Sequence, residues 1–211
     1  MFKNQVLSRI ESTGIMAIVR VETEESAYKI ADGCLEGGVD VLEISYTLPN
    51  AGDIIRALNQ KYREKLLVGA GTVLDGETAR LAILSGAKFI IAPNYSEAVC
   101  KVSNRYQIPY APGCTSVTEM VQAMENGASF IKAFPISNQY GPKLASILKT
   151  SIPYMPLMAS GGVTIENIEE WFENGIDCVG VGGLLTKGSS SDIAKNARLL
   201  TKKILAFRSR N

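Results

Sequence analysis

The chain of 211 residues has no histidine. Histidine-based triads, histidine general bases and the usual catalytic zinc sites are therefore excluded, and any chemistry must rest on Lys, Glu, Asp, Tyr, Cys or an exogenous cofactor. Cysteine is sparse. Cys34, Cys100, Cys114 and Cys178 are scattered with no CxxC pair, which argues against metal and dithiol redox motifs and leaves the four as small buried hydrophobes. Excess charge is missing too: 22 basic side chains face 21 acidic ones, and no basic stripe could follow a phosphate backbone, so no nucleic acid partner is expected. No apolar run is long enough to cross a bilayer. The opening MFKNQVLSRIESTG lacks an apolar h-region and a small-residue cleavage site, so no membrane partner and a cytoplasmic location are expected.

What is present is a repeat. Short β-branched or apolar runs fall at 14–20, 39–45, 66–71, 88–93, 108–113, 129–135, 154–161 and 177–182. Between them apolar residues recur at helical spacing, as in Ala27, Ile30, Ala31 and Leu35, or Ile165, Ile168, Trp171 and Phe172, and a last helix covers about 192–207. EGGVD, SGAKF, NGASF and NGIDC each put a glycine where a helix would stop before the next strand. Thr23, Thr164, Ser191 and Asn50 are the N-cap candidates. Eight alternating βα units with near-continuous apolar strands point to one domain, residues 1–211, folded as a (β/α)8 barrel with parallel strands. A doubly wound open sheet is the alternative, but no GxGxxG follows the first strand, where a dinucleotide site would begin.

In such a barrel the functional residues stand at the carboxyl ends of the strands. Lys132 lies inside the apolar run SFIKAFP, where strand alternation puts Phe130, Lys132 and Phe134 on one face. Desolvation disfavours an ammonium, and the neutral amine is the species that attacks a ketone. The bland alternative is a structural lysine paired with a barrel carboxylate. Glu43, in VLEIS, shares a face with Val41 and Ser45 and could shuttle protons beside such an amine, or could simply pair with it. Arg20 closes the first strand with a fork suited to a carboxylate, although a plain surface arginine fits as well. Gly161 with Gly162, and Gly182 with Gly183, end the last two strands, the usual place of a barrel phosphate site, with Ser160 and Thr164 as further donors; tight turns would also use glycine there. Thr72 in GAGT offers a hydroxyl or only a rim, and Pro93 and Phe134 offer apolar walls or only packing. No metal site is expected.

Taken in order, VLEI at 41–44, GAGTV at 69–73, the proline closing KFIIAP at 88–93, APGCTS at 111–116, IKAFP at 131–135 and SGGV at 160–163 resemble the 2-keto-3-deoxy-6-phosphogluconate (KDPG) and 4-hydroxy-2-oxoglutarate (KHG) aldolases over nearly the whole chain. The resemblance implies a Schiff-base role for Lys132 and proton transfer by Glu43. It also implies pocket positions for Thr72, Pro93 and Phe134, and phosphate loops at Gly161, Gly162 and Gly183. Two positions differ from many relatives. Thr47 stands where some carry an arginine, leaving Arg20 for the carboxylate contact, and Gly183 stands where a phosphate-binding serine is common. The implied reaction cleaves a keto-acid phosphate to pyruvate and an aldehyde with no cofactor, in a homotrimer. A metal-free sugar-phosphate isomerase or epimerase barrel, which needs no amine on strand six, is one alternative, and a non-catalytic sugar-phosphate-binding protein is another.

Overall fold

Every paired strand in the computed structural model, which describes residues 1–210, runs parallel to its neighbour. The strands are β1 (Ile15–Val19), β2 (Val41–Ser45), β3 (Leu67–Gly71), β4 (Ile90–Ile91), β5 (Tyr110–Ala111), β6 (Gly113–Cys114), β7 (Ile131–Ala133), β8 (Leu157–Ser160) and β9 (Cys178–Val181). Their order is β5-β4-β3-β2-β1-β9-β8-β7-β6. The two ends of that series are successive pieces of one stave, parted at Pro112, which has no amide hydrogen to give to a ladder. Across the break, the Tyr110 carbonyl accepts from the Ser129 amide at 2.8 Å and the Pro112 carbonyl from the Lys132 amide at 2.9 Å. The sheet thus closes on itself. The eight sequence runs become eight staves in nine segments, and the expected parallel (β/α)8 barrel is what forms.

The staves sort their side chains by alternation. Ile15, Ala17, Leu42, Ile44, Ile131 and Ala133 face outward into the layer shared with the helices. Met16, Val41, Leu67, Phe89, Ile91, Ala111, Phe130, Met158 and Cys178 fill the inside. Glycines make the inner packing possible: a Cβ on Gly69 would stand 2.3 Å from the Phe89 ring, and one on Gly180 would stand 2.6 Å from the Met158 methyl. The floor is sealed by α1 (Phe2–Thr13), whose Val6 and Ile10 join the inner cluster. The strand–helix alternation does not announce this helix. Asp40 ties it down, accepting from Arg9 Nε at 2.7 Å and from the Thr13 hydroxyl at 2.6 Å.

Around the barrel run α2 (Glu24–Glu36), α3 (Ala51–Tyr62), α4 (Gly76–Leu84), α5 (Glu97–Arg105), α6 (Val117–Glu125), α7 (Ile136–Tyr140), α8 (Lys143–Ser151), α9 (Ile168–Glu173), α10 (Gly183–Thr186) and α11 (Ser190–Arg208). The expected stop glycines Gly38, Gly86, Gly127 and Gly175 all take positive φ, a conformation that costs other residues. The caps are partly elsewhere. Thr23 caps α2 as expected, but Ser189, not Ser191, caps α11, because only Ser189 can exchange bonds with Asp192 in a capping box. Asn50 stands at the start of α3 with its amide turned to the Glu22 carbonyl, and Thr164 pairs with Asn167 in the turn ahead of α9.

Candidate active site

Among the described residues, two charged side chains are buried: Glu43, 1% exposed, and Lys132, 7% exposed. Both take the inward face that alternation assigns. Val41 and Phe130, two residues before each, belong to the inner cluster, and Ile44 and Ile131 to the outer one. They come from the second and sixth staves, and even-numbered staves supply the same layers of a closed barrel. Among the described residues no carboxylate lies within 4 Å of Lys132 Nζ, and Glu43 Oε2 is buried with no hydrogen-bond partner. Burying charge without a partner costs stability. A structural ion pair, the bland alternative for both residues, is therefore not what the barrel contains.

The neighbours of the two explain their placing. A Cβ on Gly71 would fall 1.7 Å from Glu43 Oε1, so the second glycine of GAGT is what leaves room for the carboxylate. Thr72, next in the chain, takes a left-handed φ of 57°, which is rare for a β-branched residue. Its hydroxyl meets Ser45 Oγ at 3.0 Å, and Ser45 in turn meets Thr47 Oγ1 at 3.2 Å. Lys132 Nζ sits 4.9 Å from the centroid of the half-buried Phe134 ring, an apolar wall with a negative face toward the amine. Pro93 is half-buried after β4, and its carbonyl oxygen would stand 2.2 Å from a Cβ on Gly113. Arg20 directly follows β1, is exposed and holds no ion pair among the described residues.

A second, glycine-lined cleft of about 600 Å³ opens between the ends of β8 and β9, bounded by Gly161, Gly162, Thr164, Gly182 and Gly183. Ser160 is buried just before it, its carbonyl accepting from the Ser137 hydroxyl at 2.8 Å. The two glycine pairs differ. Gly161 and Gly162 have φ of 96° and 73°, and a Cβ on Gly161 would strike the Asn138 amide at 2.6 Å, so turn geometry already requires them. Gly182 has nothing within 4 Å of its Cβ position, and Gly183 has only the Lys187 stem at 3.8 Å. Among the described residues, no close contact demands glycine at those two positions. Thr115 lies outside the site: its amide and hydroxyl both donate to Glu119 in the cap of α6.

Sequence reasoning passed over Gly71 and Asn138. The G-x-G spacing of Gly69 and Gly71 on one strand face was the available sign for the first. The four thiols are free and buried, and burial pushes those of Cys34, Cys114 and Cys178 up to about 12, which leaves them poor nucleophiles.

Fold and site together define a (β/α)8-barrel enzyme with its pocket at the carboxyl ends of the strands. Residues 6–199 match the KDPG and KHG aldolase family, and the chain belongs to that family; its relatives are aldolases, which are lyases. It is 32% identical to the 2-dehydro-3-deoxy-6-phosphogalactonate aldolase of Escherichia coli, over 92% of this chain and 94% of that one. It is 28% identical to the KHG/KDPG aldolase of the same organism, over 93% and 95%. A solved structure titled "Native KDPGal structure" superposes with a TM-score of 0.86 at 31% identity, covering 92% of this chain and 96% of that one. Among the described residues no helix is long and apolar enough to cross a membrane.

Proposed function

We propose that this enzyme cleaves a 2-keto-3-deoxy-6-phospho sugar acid, KDPG in the first instance, to pyruvate and glyceraldehyde 3-phosphate, and that it also acts on 4-hydroxy-2-oxoglutarate, giving pyruvate and glyoxylate. The observation that carries this reading is the pair of buried, mutually unpaired charged groups inside the barrel, one an amine and one a carboxylate. The neutral amine of Lys132 attacks the C2 ketone, and Glu43 moves protons through water until the carbinolamine loses water to a protonated imine. Glu43 then takes the proton of the C4 hydroxyl. The C3–C4 bond breaks, its electron pair enters the imine to form an enamine, and C4 leaves as the aldehyde. Protonation at C3 and hydrolysis of the imine release pyruvate and restore the amine. No cofactor takes part.

Arg20 receives the substrate carboxylate in this scheme, Thr72 and Ser45 supply hydroxyls at the rim, and Pro93 and Phe134 wall the pocket. The cleft at Ser160, Gly161, Gly162, Gly182 and Gly183 takes the phosphate, which gives the open positions of Gly182 and Gly183 a reason: backbone amides without side chains let an anion approach. We place the enzyme in the cytoplasm, where four free thiols are at home. We expect a homotrimer, and the exposed Leu81 and Leu84 on α4 support a self-association face. The test is pyruvate release from KDPG, its galactonate epimer and 4-hydroxy-2-oxoglutarate. Turnover of at least one phosphorylated acid with the highest kcat/KM is expected. Turnover of none would overturn the assignment.

A further inference from the structure

The glycine-lined cleft has a charge imbalance. Its lining carries one charged side chain, Glu166, whose own backbone amide and then the Thr164 hydroxyl hold its carboxyl below the usual range, so it is anionic at neutral pH. A phosphate monoester is close to a dianion there. Backbone amides can accept it, but an anionic lip opposes it, and a cation nearby is what would turn the balance.

Lys203 acts on Glu166 itself, and Lys187 is the cation placed beside the glycines. Lys187 follows α10, and its amide donates to the Gly183 carbonyl at 3.1 Å, which closes the last turn of that helix beside the cleft. Its Cδ and Cε lie 3.8 Å from where a Cβ on Gly183 would stand. The ammonium is one bond further on. Lys187 is exposed and forms no ion pair among the described residues, whereas Lys101, Lys149 and Lys61 are each engaged with a carboxylate. Its stem thus lies beside Gly183, one of the glycines that line the cleft, and among the described residues its charge is uncommitted.

We infer that Lys187 is a specificity-determining residue that pairs its ammonium with the substrate phosphate at the lip of this cleft. The inference rests on the phosphate reading above. It assigns to a side chain the preference for phosphorylated over unphosphorylated keto acids, with Glu166 acting in the opposite sense.

The experiment compares kcat and KM for KDPG and 4-hydroxy-2-oxoglutarate in the wild type and in Lys187→Met, Lys187→Arg and Glu166→Gln. A charge-assisted contact is worth about tenfold or more in affinity. Lys187→Met should raise KM for KDPG about tenfold with kcat within about twofold, so that the ratio of kcat/KM between the two substrates falls by about the same factor. Lys187→Arg should restore most of that ratio, and Glu166→Gln should increase it. A Lys187→Met variant that weakens both substrates alike, or neither, overturns the role of Lys187 while leaving the phosphate reading intact. A wild type with no preference for either phosphorylated acid, KDPG or its galactonate epimer, over 4-hydroxy-2-oxoglutarate overturns the phosphate reading and this inference with it. Pyruvate trapping on Lys132 in each variant shows whether its barrel is folded.

Discussion

The floor and the mouth of the barrel are built from the same strands, yet they obey opposite rules. At the floor, Val41, Leu67, Phe89, Phe130 and Met158 pack against Val6 and Ile10 of α1 in a cluster without charge. Two residues further along two of those strands stand Glu43 and Lys132, buried and, among the described residues, without a salt-bridge partner. The floor supplies stability, with each buried aliphatic or aromatic side chain worth about 1.5–3 kcal/mol. The mouth spends some of that stability on a site in which charge is held ready for a substrate.

The sharpest way to break this comparison is at Lys132. Lys132→Met should abolish aldol cleavage and leave thermal stability unchanged or raised, because a buried polar group without a salt-bridge partner gives way to an apolar chain of similar length; activity and Tm measured on one preparation check it. Glu43→Gln should lower kcat by about 10²–10⁴-fold, the range of general acid–base catalysis, again without loss of Tm. Gly71→Ala tests the space that the carboxylate needs. Its new methyl would displace Glu43, costing about 10²-fold in rate and about 1–3 kcal/mol in stability by overpacking. At the floor the expectation reverses: Phe89→Ala should cost about 3–5 kcal/mol in urea unfolding and leave kcat per folded molecule close to that of the wild type.

The smallest effect is set at the helix caps. The Thr115 and Ser116 amides hold Glu119 below its usual 4.5, and the Ser189 hydroxyl and amide do the same for Asp192. A lowered folded pKa contributes stability that is present above the unfolded value and lost as pH falls through the folded one. Tm should therefore be flat from neutrality down to about pH 4.5 and fall below it, and Glu119→Gln should lower the plateau and soften the fall. A variant with the same acid profile as the wild type would show that these caps are not the source.

Much of this was legible in the sequence because alternation is a strong signal. SFIKAFP and VLEIS each put a charge on the inward face of a mostly apolar strand, and that alone located Lys132 and Glu43. The stop glycines of α2, α4, α6 and α9 were readable for the same reason, since a positive φ restricts the residue that can follow a helix. What stayed hidden depends on contacts between distant segments. Nothing local to Pro112 says that it parts the stave that closes the barrel, and nothing local to Phe2–Thr13 says that its apolar residues seal the floor. Gly71 looked like part of a rim until the Glu43 carboxylate was seen to occupy the space of its missing side chain. The two glycine pairs read alike in sequence, and only their φ angles and neighbours separate a turn from an open cleft wall.

The central claim is that Lys132 forms a covalent imine with the keto acid. Incubation with pyruvate and borohydride, followed by intact mass and peptide mapping, tests it most directly, because reduction converts a lysine imine to a stable secondary amine. One reduced pyruvate per chain, carried on Lys132 and absent from Lys132→Met, is the predicted result. A chain that gains no mass at saturating pyruvate, or gains it on another lysine, would contradict the account.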